Sequence, residues 1–203
     1  MDVAVACLLA YLLGGIPFGL VLARMLAGVD IRRIGSGNVG ATNAARAFST
    51  RPRRLAAFLL IYLLDGLKGF APTAWFGAAF GLASPNAPVF LGCCALLGHC
   101  FTPYLRFKGG KGVATGCGVF AALEPLALLI ALCAFGLAYA MTKKVFVGSL
   151  TLGVALALAV VFRDPGSAFA SRTGASVLAI AVALFLFFTH RSNLRQALRG
   201  APA

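Results

Sequence analysis

Acidic residues are nearly missing from this chain of 203 residues: Asp2, Asp30, Asp65, Glu124 and Asp164 are all it has, against 18 Lys and Arg, for a formal net charge of +13. Carboxylates so few and so scattered exclude a two-metal centre, which needs acids gathered around both ions. Charge of either sign is scarce, at 11% of residues, while 61% are hydrophobic, far from the balance of a soluble domain. The six cysteines, Cys7, Cys93, Cys94, Cys100, Cys117 and Cys133, form no CxxC pair and no Cys/His cluster at zinc spacing. They read as small buried side chains. Nucleic acid as a partner is excluded too, because such proteins interleave Lys and Arg with polar surface, and here the cations lie between long apolar runs.

Those runs place the chain in a membrane. A hydrocarbon core about 30 Å thick takes about 20 helical residues at 1.5 Å each. Five stretches fit, at residues 3–22, 55–82, 87–105, 145–162 and 174–189. A sixth, 112–140, is long for one helix and carries Glu124-Pro125 in its middle, so it is one kinked span or two short ones. The bias of Lys and Arg toward the cytoplasmic side chooses between these. Seven spans with the amino terminus outside put fifteen cations inside and leave only Arg163 and Arg172 outside, whereas six spans give twelve against five. The expectation is an all-α integral membrane protein of seven transmembrane helices, some short, with a cytoplasmic carboxy terminus, forming one polytopic domain over residues 1–203. Asp2 stands where a signal peptide has its basic region and no small-x-small cleavage site follows, so the first span stays. Glycines four apart, Gly15 with Gly19 and Gly77 with Gly81, read as close helix packing.

Three polar segments interrupt the apolar chain, and seven spans put all three on the cytoplasmic side. The first runs from Gly35 to Arg46, with Gly35, Gly37 and Gly40 set among Ser36, Asn38, Thr42 and Asn43. Closely spaced glycines let amides converge on an anion, hydroxyls add donors, and Arg46 offers a planar fork to phosphate oxygens. It is neither a Walker loop nor a dinucleotide fingerprint. The competing reading is a flexible connector lying on anionic lipid, a role that suits Arg32, Arg33, Arg51, Arg53 and Arg54. The second segment is Lys108-Gly109-Gly110-Lys111-Gly112, two cations three apart followed at once by an apolar helix. If Gly112 opens that helix, its free N–H groups and positive dipole end add to the lysines in attracting phosphate. Loop lysines of the cytoplasmic side explain the charges but not three glycines. The third leaves the last span: His190 and Asn193 share a helix face, and His190 is either a proton carrier or an interfacial anchor. Within the second span Asp65 and Lys68 are three apart, either a self-neutralising pair or an extension of the anion site by Lys68. His99 reads as a packing residue near a helix end.

With these segments in hand the chain resembles the PlsY family of bacterial membrane acyltransferases. The likeness rests on GSGNVGATNAAR at 35–46, LDGLKG at 64–69, GHCFTPYLRFKGGKGVAT at 98–115 and HRSNLRQALRG at 190–200. It implies transfer of a fatty acyl group from acyl phosphate to the sn-1 hydroxyl of glycerol 3-phosphate, giving lysophosphatidate and phosphate for phospholipid synthesis. The enzyme it implies is multi-pass in the bacterial inner membrane, faces the cytoplasm with its active site, and uses no cofactor or metal. Carried over by motif, Ser36 and Arg46 belong to the reactive centre, Lys108, Gly109, Gly110, Lys111 and Gly112 to the glycerol-phosphate site, and His190 with Asn193 to activity. The chain departs from the family pattern at Val39, at Pro103 and after Gly200, where an acidic residue is usual and Ala201-Pro202-Ala203 stand instead. The rival outside enzymes is a small transporter for an organic phosphate, which would show polar residues deep in several spans. Acyl-chain length and oligomeric state stay open.

Overall fold

The computed structural model describes residues 2–199; the carboxy-terminal departure beyond Gly200 lies outside them. Helices make up the architecture, and no strand occurs among the described residues. Asp2 accepts from the Ala4 amide at 3.1 Å and opens α1, Val3–Gly15. The chain then breaks at Ile16-Pro17, where proline supplies no N–H, and α2 runs Phe18–Ala27. The first apolar run is thus a broken helix rather than one piece. It closes on Gly28 in the left-handed region, φ 67°, whose amide bonds back to Arg24.

After the short α3, Ala41–Ala44, the helix α4 spans Arg51–Ala71. Pro72 again removes a donor, the helix widens into a π-type turn over Pro72–Phe76, and α5, Gly77–Ala79, finishes it. Thr73 donates its hydroxyl to the Gly69 carbonyl at 2.8 Å within this distortion. Next comes α6, Ala87–Cys100, which lies against α1 at backbone distance. A methyl on Gly14 would overlap the Ala95 backbone, and one on Gly98 the Tyr11 carbonyl. Small residues therefore set that crossing. Gly19 is pressed on the Val39 carbonyl and Gly15 lies beside Thr102, so these two glycines serve close approach of loops rather than of a helix. The helix-packing expectation also fails for Gly77 and Gly81, which face open space; Gly81 ends its turn with φ 64°.

Helix α7, Val113–Leu123, carries the chain from the first compact unit, ending at Val119, into the second, beginning at Phe120. The 112–140 stretch proves to be two helices, since α8, Pro125–Thr142, starts with proline at its first position after the extended Glu124. A tight turn through Lys143 leads to α9, Val145–Phe162; α10, Pro165–Ala168, α11, Thr173–Thr189, and α12, Arg191–Leu198, complete the unit. Glu124 is its electrostatic knot. Arg172 donates to Oε1 from Nε at 2.9 Å and Nη2 at 2.6 Å, while Arg163 donates to Oε2 at 2.6 Å. Because Glu124 is buried and both arginines are partly wet, Glu124→Ala is expected to lower stability by about 2 kcal/mol or more. Thermal unfolding in detergent checks this, and an unchanged midpoint would remove the knot's importance.

Five helical stretches are long and apolar enough to cross a membrane: Val3–Ala27, Arg51–Ala79, Ala87–Leu105, Pro125–Thr142 and Val145–Phe162. A sixth is reached if α11 and α12, bent by 52° at His190, count together. At 11 residues, α7 extends only about 16 Å, about half the hydrocarbon thickness. The class expected from the sequence, an all-helical integral membrane protein, is the one found, with five or six spans by length.

Candidate active site

The loop between α2 and α3 is built before it is functional. Asp30 accepts from Arg24 at 2.7 Å and from Arg32 at 2.6 Å, tying the end of α2 to the 3-10 turn Ile31–Arg33. Hydrogen bonds from Arg32 first, then Arg24, hold the Asp30 carboxyl well below the usual carboxylate range. A depressed value favours the folded state above the ordinary carboxylate titration and loses its effect as pH falls, so this staple is intact at neutral pH. Gly35 and Gly37 follow with φ of 53° and 69°, a conformation that side-chain-bearing residues adopt at a cost.

Asn43 organises the turn. Buried to 3% exposure, its Oδ1 accepts from the Ser36 amide at 3.1 Å, and its Nδ2 donates to the carbonyls of Ile31 at 2.8 Å and Asn38 at 2.9 Å. Asn38 in turn accepts from the Gly40 amide at 2.8 Å, and the Gly37 amide bonds Ile34 at 3.0 Å. These contacts revise two expectations. Asn43, expected against substrate, has its oxygen and both amine hydrogens engaged within the loop. The amides of Ser36, Gly37 and Gly40, expected to converge on an anion, are spent internally. Exposed instead are Ser36, Thr42 and Arg46. Arg46 folds across Gly35: a methyl there would overlap Asn43 Oδ1 and Arg46 Nη1. Gly35 is needed so that a guanidinium can lie beside Ser36, and Arg46 makes no ion pair among the described residues.

Replacing Asn43 by Ala strands the Ser36 amide, the buried Ile31 carbonyl and the part-buried Asn38 carbonyl. At about 1 kcal/mol for each bond, a loss of about 3 kcal/mol is expected, with activity falling more than tenfold at temperatures where the protein stays folded. Thermal unfolding paired with turnover at low temperature is the check; full activity at an unchanged midpoint would deny Asn43 its place as organiser.

The second loop lies on the end of α6. The Gly109 amide bonds the Cys100 carbonyl at 3.0 Å and the Gly110 amide the His99 carbonyl at 3.0 Å. Methyls on Gly109 and Gly110 would overlap the His99 carbonyl and His99 Nε2, and Gly112 has φ 87°. The glycines therefore serve close approach rather than a row of free amides. Lys108 is exposed and Lys111 half-buried, with the Lys111 ammonium pushed below its ordinary value by desolvation. Gly112 precedes α7 and accepts from Gly116 at 2.8 Å, the capping position expected of it.

Lys68, in α4, is buried. Its Nζ donates to the Ile16 carbonyl at 2.7 Å and stands 2.9 Å from Asp65 Oδ1, so the pairing reading describes it. His99, expected to pack near a helix end, does so: it is buried one residue before the end of α6 with its ring under Gly110, a contact that a lone histidine in an apolar run does not announce. In the second unit His190 ends α11 and starts α12, 3% exposed. Its Nδ1 is 2.9 Å from the Leu186 carbonyl. A carbonyl only accepts, so in the neutral ring Nδ1 carries the proton and Nε2 the lone pair. Asn193 sits one turn along α12, on the same face.

Membrane-length helices joined by two glycine-rich cationic loops define a membrane protein suited to phosphorylated substrates. The chain matches the family described as glycerol-3-phosphate acyltransferase over residues 4–200. It is 42% identical over 193 residues to the glycerol-3-phosphate acyltransferase of Anaeromyxobacter dehalogenans (strain 2CP-1 / ATCC BAA-258), covering 94% of this chain and 90% of that one. With its counterpart in Sinorhizobium medicae (strain WSM419) it shares 41% over 204 residues, 98% and 90% of the two chains. The crystal structure of PlsY (YgiH), an integral membrane glycerol 3-phosphate acyltransferase, in its glycerol 3-phosphate form, superposes with a TM-score of 0.85 at 33% identity, covering 99% of this chain and 94% of that one. Its lysophosphatidic acid form gives 0.83 at 32%, with the same coverage. The chain belongs to the glycerol-3-phosphate acyltransferase family. It is a membrane acyltransferase, as the motifs implied, and the transporter reading is set aside.

Proposed function

We propose that the chain moves a fatty acyl group from acyl phosphate to the sn-1 hydroxyl of glycerol 3-phosphate, at the cytoplasmic face of the bacterial inner membrane. The observation that carries this is Arg46 laid across Gly35 beside the exposed Ser36, an unpaired guanidinium where an anion's charge has to be met. The hydroxyl oxygen forms a bond to the acyl carbon, the bond from that carbon to the phosphate oxygen breaks, phosphate leaves with the electron pair, and the hydroxyl proton passes to His190 Nε2 and from there to the departing phosphate. Acyl phosphate is already activated, so the protein mainly orients the hydroxyl and stabilises developing charge. Arg46 meets the acyl-phosphate charge, with Ser36 and Thr42 as hydroxyl donors, Gly35, Gly37 and Gly40 shaping the turn, and Asn38 and Asn43 holding it. Lys108 and Lys111 take the phosphate of glycerol 3-phosphate from the loop of Gly109, Gly110 and Gly112. His190 offers Nε2 to the attacking hydroxyl, and Asn193 supports it from the same helix face. The PlsY structures in glycerol 3-phosphate and lysophosphatidic acid forms support this acceptor and this product.

Charge and Glu124 support the orientation. In the seven-helix arrangement, amino terminus outside, the Glu124 turn, the end of α9 and the start of α11 share the outer side, where Arg163 and Arg172 meet Glu124. One kinked span would bury Glu124 at mid-membrane instead. With glycerol 3-phosphate as acceptor, acyl phosphate is expected to support turnover and acyl-CoA not; turnover with acyl-CoA alone would overturn the donor. After incubation with acyl phosphate alone, the mass of Ser36 is expected to be unchanged, and an acyl adduct there would make it a nucleophile.

A further inference from the structure

Beneath the second loop lies a polar chain that the reaction leaves unused. His99, on α6, is 6% exposed. One face of its ring carries Gly110, so closely that a methyl there would overlap Nε2. On its other side Nδ1 looks toward Asp65 Oδ1 at 3.9 Å, too far for a hydrogen bond, and among the described residues Nδ1 has no hydrogen-bond partner. Asp65 stands 2.9 Å from Lys68, and Lys68 donates to the carbonyl of Ile16 at the break between α1 and α2. An unpartnered polar atom on a buried ring costs free energy that a purely structural core would shed by apolar replacement. The same line of contacts ties the α1–α2 break to Gly110, between Lys108 and Lys111.

We propose that His99 is a positioning residue of the glycerol-phosphate loop: wedged between Gly110 and the Asp65–Lys68 pair, it fixes the height of the loop's backbone and hence the direction in which Lys108 and Lys111 leave it. The inference rests on the glycerol-phosphate reading of that loop. His99 touches no substrate. It acts through Nε2, the atom under Gly110, and Asp65 and Lys68 stop the ring from sinking when the loop takes charge.

Substitutions separate this from plain packing. His99→Ala removes the wedge, and KM for glycerol 3-phosphate is expected to rise tenfold or more, while KM for acyl phosphate stays within twofold. His99→Gln puts an amide in the place of Nε2 and is expected to return KM to within threefold of wild type. His99→Asn reaches only as far as Nδ1 and leaves the gap. Equal changes in both KM values, a fall in kcat alone, or better rescue by Asn than by Gln would overturn the inference. Should the Ala variant not fold, the Gln and Asn variants decide by the same comparison. Calorimetric titration of glycerol 3-phosphate into the wild type and the Asn variant, with no acyl donor present, reads the loop directly, and equal affinities would also overturn it. Wild-type turnover with acyl phosphate reports separately on the reading of the reaction, so the two fail distinguishably.

Discussion

Arg46→Ala is expected to lower kcat/KM for acyl phosphate by about 10²–10³, with thermal stability little changed. The side chain is exposed, makes no ion pair among the described residues, and lies over Gly35 rather than inside the core. Its removal therefore takes little from packing, in contrast to Asn43. What is lost is a planar donor against phosphate, whose charge-assisted bonds are about twice as strong as neutral ones. Losing one such stabiliser of developing charge costs about 3–4 kcal/mol in the transition state, which converts to that range of rates. Arg46→Lys keeps the charge without the fork and is expected to stay about tenfold or more below wild type. Steady-state kinetics with the donor varied is the measurement. Wild-type rates for Arg46→Ala would move the donor site away from this loop.

His190→Ala is expected to cost about 10²-fold or more in kcat, the usual scale for a positioned proton-handling group. The Leu186 carbonyl fixes the proton on Nδ1 and leaves Nε2 as acceptor. An unimpaired variant would leave the proton to the departing phosphate alone and make His190 an anchor at the bend between α11 and α12.

The parts of the fold that were legible are those decided by neighbours in sequence. Glu124-Pro125 marks the break between α7 and α8 because a proline in the interior of a long apolar run removes a helix hydrogen bond and kinks or breaks it. Asp65 and Lys68 read as a pair because helical spacing alone brings them together. Pro17 carries the same chemistry as Pro125 yet sits in an uninterrupted apolar run, where hydropathy hides the break between α1 and α2. In the site, residue types pointed to phosphate while the atoms that meet it were misread. Glycine was taken as a provider of free amides, but the amides of Gly37, Gly40, Gly109 and Gly110 are bonded within the protein, and glycine is needed there for tight turns and close approach. The contacts of Asn43 and His99 were illegible for one reason: their partners, Ile31 and Asn38 for the first and Gly110 and Asp65 for the second, become neighbours only when the chain folds.

The central claim is that acyl phosphate donates directly to glycerol 3-phosphate. It is tested by giving purified protein in lipid vesicles both substrates with a metal chelator present, and counting lysophosphatidate and free phosphate together. The expected result is one phosphate released for each lysophosphatidate formed, at a rate the chelator does not change. Phosphate release without the ester, or ester formed only when acyl-CoA replaces acyl phosphate, would contradict it.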